Sequence, residues 1–305
     1  VDNLTHTLVG VALAQAGFSR ASRGATAAVI LASNLPDVDV LFALQGSVAY
    51  LAHHRDLTHS VVGAPLLALA LAAILFVSVR GARFLGLLSA ALAGVAGHVF
   101  LDLWTSYGTR VLSPFDHTFY TWDLVFIVDP IILVLLLVTV LLGVGRRLGP
   151  SAATVGLGLV LAYVGGRALL HERAVEEALL RIPSGTVRRV AALPAPVDPF
   201  RWRVVADTGD SYWTGTVELG ARGEPFVRRD KPSEGALVER VREESAVARV
   251  FLAFSSFPWV EVETSADGTT VTWRDLRFER RGREAFVARV TIGADGRIRS
   301  QTFRF

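Results

Sequence analysis

Residues 84–103 read FLGLLSAALAGVAGHVFLDL, twenty positions in which His98 and Asp102 are the only ionisable groups. A helix of roughly 20 apolar residues crosses the hydrocarbon core of a bilayer. The stretch therefore predicts a membrane helix, and it carries two groups that are costly there. Their spacing of four stacks both side chains on one helix face. A His-x-x-x-Asp pair can give a metal two ligands from one helix, or can be a simple His–Asp hydrogen bond.

Similar runs lie on both sides. Val61–Val79 has no charge, Val125–Val144 has only Asp129, and Ser151–Leu170 has only Arg167. Two weaker runs come first, Leu4–Phe18 and Gly24–Leu44. The short first run fits a tilted or interfacial helix, and it lacks the basic start of a secretory signal. About six helices are expected, the first two less sharply drawn. Residues 1–170 hold 17 charged side chains, whereas residues 171–305 hold 42. Two parts with such different charge density suit different solvents, which excludes a disordered chain or a single soluble globule. The net charge of +3, without a long basic run, argues against nucleic acid as a partner. Cysteine is absent, so disulfides, Cys-ligated zinc and thiol chemistry are excluded.

The short loops alternate in charge. One side receives Arg20 and Arg23, Arg80 and Arg83, then Arg146 and Arg147; the other receives Arg55 and Arg110. The positive-inside rule places the first side in the cytoplasm. Residues 171–305 are then expected outside the cytoplasmic membrane, as a periplasmic domain in a bacterial cell. The fold expected is an all-α polytopic membrane domain over 1–170 followed by a soluble α+β domain over 171–305. Strands are predicted at 204–205, 212–219, 260–264, 269–278, 285–292 and 298–305, with turns at Asp267-Gly268 and Asp295-Gly296. One amphipathic helix is predicted over Glu234–Phe254.

The polar residues of the first part gather on the non-cytoplasmic side of this topology. His6 starts the first helix there, Asp37 and Asp39 end the second, and His53, His54 and His59 precede the third. His98 and Asp102 lie in the last two turns of the fourth. The arginine bias was read without these residues, so their convergence independently predicts a metal site. His and carboxylate ligands suit Zn2+, Mn2+ or Fe2+, with Zn2+ preferred. The ligands expected are His6, Asp39, His59, His98 and Asp102, with Asp37 a ligand or a general base. Arg55 is the one cation within these motifs and suits a phosphoryl oxygen. Its other reading is a pair with Asp56 or an anchor at the headgroups. His54 suits proton donation to a leaving group. Asp129-Pro130 reads as a helix N-cap, and Asp116 and His117 as an exposed turn. Trp104, Tyr107, Tyr120 and Trp122 read as an interfacial aromatic belt or as a substrate groove.

Leu4-Thr5-His6, Leu35-Pro36-Asp37-Val38-Asp39, His54-Arg55 with Thr58-His59-Ser60, and Gly97-His98 with Asp102 resemble the inner-membrane-bound metal-dependent hydrolases. The resemblance covers about residues 1–170 and implies hydrolase activity. Asp56 stands where that family often has glycine, which bears on the loop and not on the ligands. The order His, Asp, His, His-x-x-x-Asp is also similar to the first ligands of zinc-dependent phospholipase C and P1-type nucleases. The further His and His-x-x-x-Glu of those soluble enzymes are missing here, so one or two ions are implied rather than three.

The leading expectation is a membrane-bound, phospholipase-like hydrolase acting on a phosphoester or other lipid-like substrate at the outer face of the membrane. The alternative is a non-catalytic membrane module with a structural metal and a partner-binding C-terminal domain. A transporter fits less well, because the polar residues do not continue to the cytoplasmic side. The absence of His-Glu-x-x-His argues against an intramembrane zinc protease.

Overall fold

The computed structural model describes residues 1–144, 149–183, 187–221, 223–266, 268–279 and 285–305. Arg146, Arg147 and Asp267, used above for orientation and a turn, lie outside the described residues. The first part is helical: α1 (Asn3–Ala16), α2 (Ala25–Ala32), α3 (Ser47–His53), α4 (Gly63–Ser78), α5 (Phe84–Leu103), α6 (Pro130–Gly143) and α7 (Gly149–Arg181). Among the described residues, α5 and α7 are each long and apolar enough to cross a membrane. Two bent pairs reach the same standard together, α2 with residues 35–45 and residues 47–59 with α4. Outward-facing Leu66, Ile74, Val134, Leu141, Val155 and Leu161 are exposed, an apolar surface suited to lipid.

Several boundaries depart from the sequence expectation for identifiable reasons. The Gly24–Leu44 run is not one helix. It breaks after Ala32 and resumes as 3-10 turns over Leu35–Gln45, bent by 44°. Pro36 has no N–H to give and its ring would clash with the carbonyl of Ala32 in a continuous helix. The Val125–Val144 run becomes helical only at Pro130, where Asp129 accepts hydrogen bonds from the Ile131 and Ile132 amides, the N-cap expected. The short α1 does not lie at the edge: it packs against α2, α5, α6 and α7. Its small residues Gly10, Ala12 and Ala14 are buried and permit that close packing. Finally, α7 continues past Leu170 to Arg181 and carries Ala174 and Ala178 onto the first β-sheet.

The C-terminal part holds two four-stranded antiparallel sheets. The first is β1 (Arg189–Pro194), β2 (Arg201–Asp207), β3 (Ser211–Glu218) and β4 (Val227–Asp230), in that order. The second is β5 (Pro258–Ser265), β6 (Gly268–Asp275), β7 (Val287–Ile292) and β8 (Ile298–Arg304). Sequence periodicity missed β1 and β4. The mostly exposed β4, with sequence VRRD, pairs only with β3, so no buried face imposes alternation on it. The single helix expected over Glu234–Phe254 is instead two, α8 (Ala236–Glu244) and α9 (Ala246–Phe254). Ser245 adopts an extended backbone between them and accepts from the Ala248 amide, ending one helix and capping the next.

The two parts are tied together. Leu51 of α3 lies in the core built by α8, α9 and the second sheet. Ser47 Oγ donates to the Phe303 carbonyl at 3.0 Å, and Arg277 Nη1 donates to the Ser106 carbonyl at 3.0 Å. On the other side, the buried Arg167 of α7 donates to the carbonyls of Leu124 and Pro199 and lies over the Trp202 ring.

Candidate metal centre

The close approach of α2 and α5 puts His98 in place. At Gly94, one turn before His98, an added Cβ would lie 2.6 Å from both Ala32 Cβ and the Val29 carbonyl oxygen. With the helices this near, His98 Nδ1 donates to the Ser33 carbonyl at 2.8 Å. A carbonyl only accepts, so Nδ1 carries the proton and Nε2 presents its lone pair. His59 is arranged the same way. Its Nδ1 lies 3.0 Å from Thr58 Oγ1 and 3.3 Å from Asp39 Oδ2, and its Nε2 faces His98. A carboxylate or carbonyl behind the ring, with the second nitrogen left bare, is the usual support of a metal-binding histidine.

Four possible ligand atoms converge. His59 Nε2 and His98 Nε2 are 3.1 Å apart. Asp102 Oδ2 is 3.4 Å from each, and Asp37 Oδ1 is 3.5 Å from each. Atoms held 2.0–2.1 Å from a tetrahedral ion are separated by about 3.3–3.4 Å. These residues come from the 3-10 segment after α2, the loop before α4, and α5. His59, His98 and Asp102 are fully buried, while the Asp37 side chain retains 16% of its exposure. The group is thus most open at Asp37.

The residues fit a divalent cation. Among the described residues, Asp102 Oδ2 and both ring nitrogens of buried His6 have no hydrogen-bond partner. Two Nε2 lone pairs and two carboxylate oxygens offer one another little but repulsion, and a cation between them removes it. His6 stacks on His98 with ring centroids 3.7 Å apart, and its Nε2 is 3.4 Å from Asp102 Oδ1. It therefore borders the four-atom group rather than completing it.

The other expected site residues surround this group. Asp39 does not aim at the four atoms. Its Oδ1 meets His54 Nδ1 at 2.8 Å, while its Oδ2 accepts from the Arg55 amide at 2.8 Å and Thr58 Oγ1 at 3.1 Å. Asp37, Asp39 and His54 form a second convergent group that shares Asp37 with the first. Arg55 is buried and sends Nη2 to Asp102 Oδ1 at 2.8 Å and Nη1 to Thr105 Oγ1 at 3.1 Å. Asp102 Oδ1 also receives the Val1 nitrogen. Asp56 pairs with Arg110 at 3.3 Å and not with Arg55. His53 stacks on Phe42 away from the cluster, and His117 is exposed. The exposed Asp116 accepts from the hydroxyl and amide of Thr118, which hold its carboxyl below the usual carboxylate range.

Two aromatic side chains border His54, of which sequence reading missed Tyr50. Tyr50 stacks on His54 with centroids 4.5 Å apart and meets Phe305 edge-on. Its position four residues before His54 on a helix was the available signal. Tyr107, read as belt or groove, meets His54 edge-on at 5.3 Å and lies under the Arg55 guanidinium. Only the tertiary fold brings it there.

Comparison with known proteins adds the family. No solved structure matches the chain. The profile described as YfhP C-terminal alpha/beta plait domain matches residues 236–305, the span of α8, α9 and the second sheet. A Bacillus subtilis (strain 168) relative, described as uncharacterized protein YfhP, is 28% identical over 98% of this chain and 94% of its own length. The profile described as YdjM inner membrane protein matches residues 1–174, which contain every residue of the His/Asp cluster. The chain thus belongs to the YdjM inner membrane protein family.

Proposed function

We propose that this protein is a metal-dependent hydrolase that cleaves a phosphoester lipid at the outer face of the cytoplasmic membrane. The observation that carries the reading is the convergence of four possible ligand atoms, with both Nε2 atoms 3.4–3.5 Å from each carboxylate oxygen, beside the nitrogens of His6. His59, His98 and Asp102 would hold the ion, Zn2+ by preference, and leave the fourth position, beside Asp37, to water. Asp37, Asp39 and His54 could hold a second ion instead, and would then be ligands rather than the base, support and acid of the reaction. A divalent ion here would supply Lewis acidity and make water acidic enough to be used as a nucleophile near neutral pH.

The chain's own residues would do the rest. Asp39 and Ser33 hold the two imidazoles with their Nε2 atoms inward. Arg55 holds Asp102 by one oxygen and leaves the other to the cluster. Both Nη atoms already have a partner, Thr105 and Asp102, which favours positioning a ligand over gripping a phosphoryl oxygen as the role of Arg55. Asp37, the most open member, is placed to accept a proton from an attacking water. His54, with Nδ1 held by Asp39, would offer Nε2 to a leaving group. Substrate would enter past Asp37. A site in the last turns of a membrane helix is reached most directly by a substrate already in the bilayer, and the arginine bias puts that end outside the cytoplasm.

The test is metal analysis of the purified chain together with hydrolysis of phospholipid vesicles before and after chelation. His59→Ala, His98→Ala and Asp102→Ala should each lower metal affinity by more than roughly a hundredfold, since each removes a ligand from one centre. Lipid hydrolysis should fall with the metal and return when Zn2+ is restored to the wild type. Full metal in all three variants would overturn the site. Metal binding without chelator-sensitive hydrolysis would favour the structural-metal reading.

A further inference from the structure

A cavity of about 440 Å3 lies where the helical part meets both sheets. That volume is within the roughly 300–1,000 Å3 typical of ligand pockets. Its wall is contributed by all three layers: Val125 and Ile127 before α6, Leu193 and Pro196 at the end of β1, and Phe278 and Phe286 from the second sheet's loop. Among the described residues, the arginines on the wall are already engaged. Arg203 donates to the Arg277 carbonyl and faces Glu279, Arg201 faces Glu224, and Arg277 is held by Asp275. The cavity therefore favours an apolar chain over an anionic head.

Two features connect it to the metal cluster and to the bilayer. Thr105 and Tyr107 line the cavity, and Thr105 Oγ1 accepts from the same Arg55 that holds Asp102. Tyr107 also meets His54 edge-on, and its buried hydroxyl has no partner among the described residues. On the other side, Val125–Ile127 lead within three residues into apolar α6, whose outer face is exposed.

We propose that this cavity receives one acyl chain of a bilayer phospholipid, with the unpartnered Tyr107 hydroxyl between the chain and the metal cluster. That the same lipid is hydrolysed rests on the preceding reading; occupancy of the cavity does not. The C-terminal sheets then form part of a lipid-binding site and select the chain.

The full chain in nanodiscs of phosphatidylethanolamine and phosphatidylglycerol, doped with a phospholipid carrying a diazirine on its acyl chain, tests this directly. After irradiation, adducts should appear on 125–127 together with 193–196 or with Phe278 and Phe286. Adducts confined to the outward faces of α4, α6 and α7 would overturn the proposal. Labelling of the cavity by a free fatty-acid diazirine but not by the phospholipid would overturn the bilayer source. Ala195→Trp, on the cavity wall and outside both His/Asp groups, should cut cavity labelling about tenfold, as if roughly two CH2 groups were displaced, with metal content unchanged. Unchanged labelling in that variant would also overturn it. His98→Ala should keep the labelling while losing metal, so failure of the hydrolase reading and failure of the cavity are read separately.

Discussion

Asp102 shows how one residue can link several parts of the site. Its Oδ1 is held by Arg55, and its Oδ2 faces His59 and His98. Removing Arg55 leaves a buried carboxylate short of a partner and free to turn. Arg55→Ala should therefore lower metal affinity by about 10–100-fold, the usual range for groups that orient a ligand, as read by metal titration of folded protein. Unchanged affinity would return Arg55 to the substrate-binding role. Asp123, in the loop after α5, is a different case. It is buried, its Oδ1 has no partner, and burial pushes its carboxyl above the usual range despite the Ser106, Arg277, His171 and Thr121 groups nearby. A carboxyl raised in the folded state costs stability as pH rises from its unfolded value, about 3.9, through the raised folded value. Asp123→Asn removes that cost, and Asn tolerates the residue's φ of 54°. The variant should melt higher than the parent at pH 7, and the difference should vanish below about pH 4. A melting curve at the two pH values checks it.

At the scale of the element, α5 acts through its contact with α2. Gly94 is tolerated because no Cβ is there; Gly97, three residues on, would place a Cβ no nearer than 3.7 Å to Leu13. Gly94→Ala should force the helices apart and carry His98 away from the Ser33 carbonyl. Metal content should drop in Gly94→Ala and remain near normal in Gly97→Ala, although neither residue is a ligand. Equal metal in both would show that α5 position does not set the site. Helical periodicity cannot report such a contact, because a glycine on an apolar face reads the same at both positions.

For the whole molecule, the main feature is the docking of the C-terminal domain on the loop that carries His54, Arg55 and His59. Leu51 enters its core, and Phe305 closes on Tyr50, the residue stacked on His54. The domain therefore buttresses the site. If the arginine bias orients the chain, both lie outside the cytoplasm. A reporter active only in the periplasm should work when fused after Phe305 and fail when fused at Arg146. The reverse pattern would move the proposed reaction to the cytoplasmic face.

Much of this was present in one dimension. The density of apolar residues marked the membrane part, because a bilayer requires long uncharged helices and tolerates few exceptions. Those exceptions, His59, His98 and Asp102 with Asp37, were for that reason conspicuous, and the four-residue spacing on α5 already paired two of them. The sequence also carried the Asp129 cap and most strands of the C-terminal part, whose two-residue alternation follows from having one buried face. What it did not carry were relations between distant segments. Sequence reading put Asp39 among the ligands and left Asp37 as ligand or base, yet in the fold Asp39 supports the imidazoles and Asp37 joins the four-atom group. Arg55 reads as a phosphoryl-binding cation, a partner of Asp56 or a headgroup anchor until the fold sets Asp102 against it. Tyr107 reads as an interfacial aromatic or as part of a groove, and only the fold sets it between His54 and the cavity. These outcomes depend on which side chains meet across helices, and such contacts leave no periodic trace in the chain; only the tertiary structure decides them.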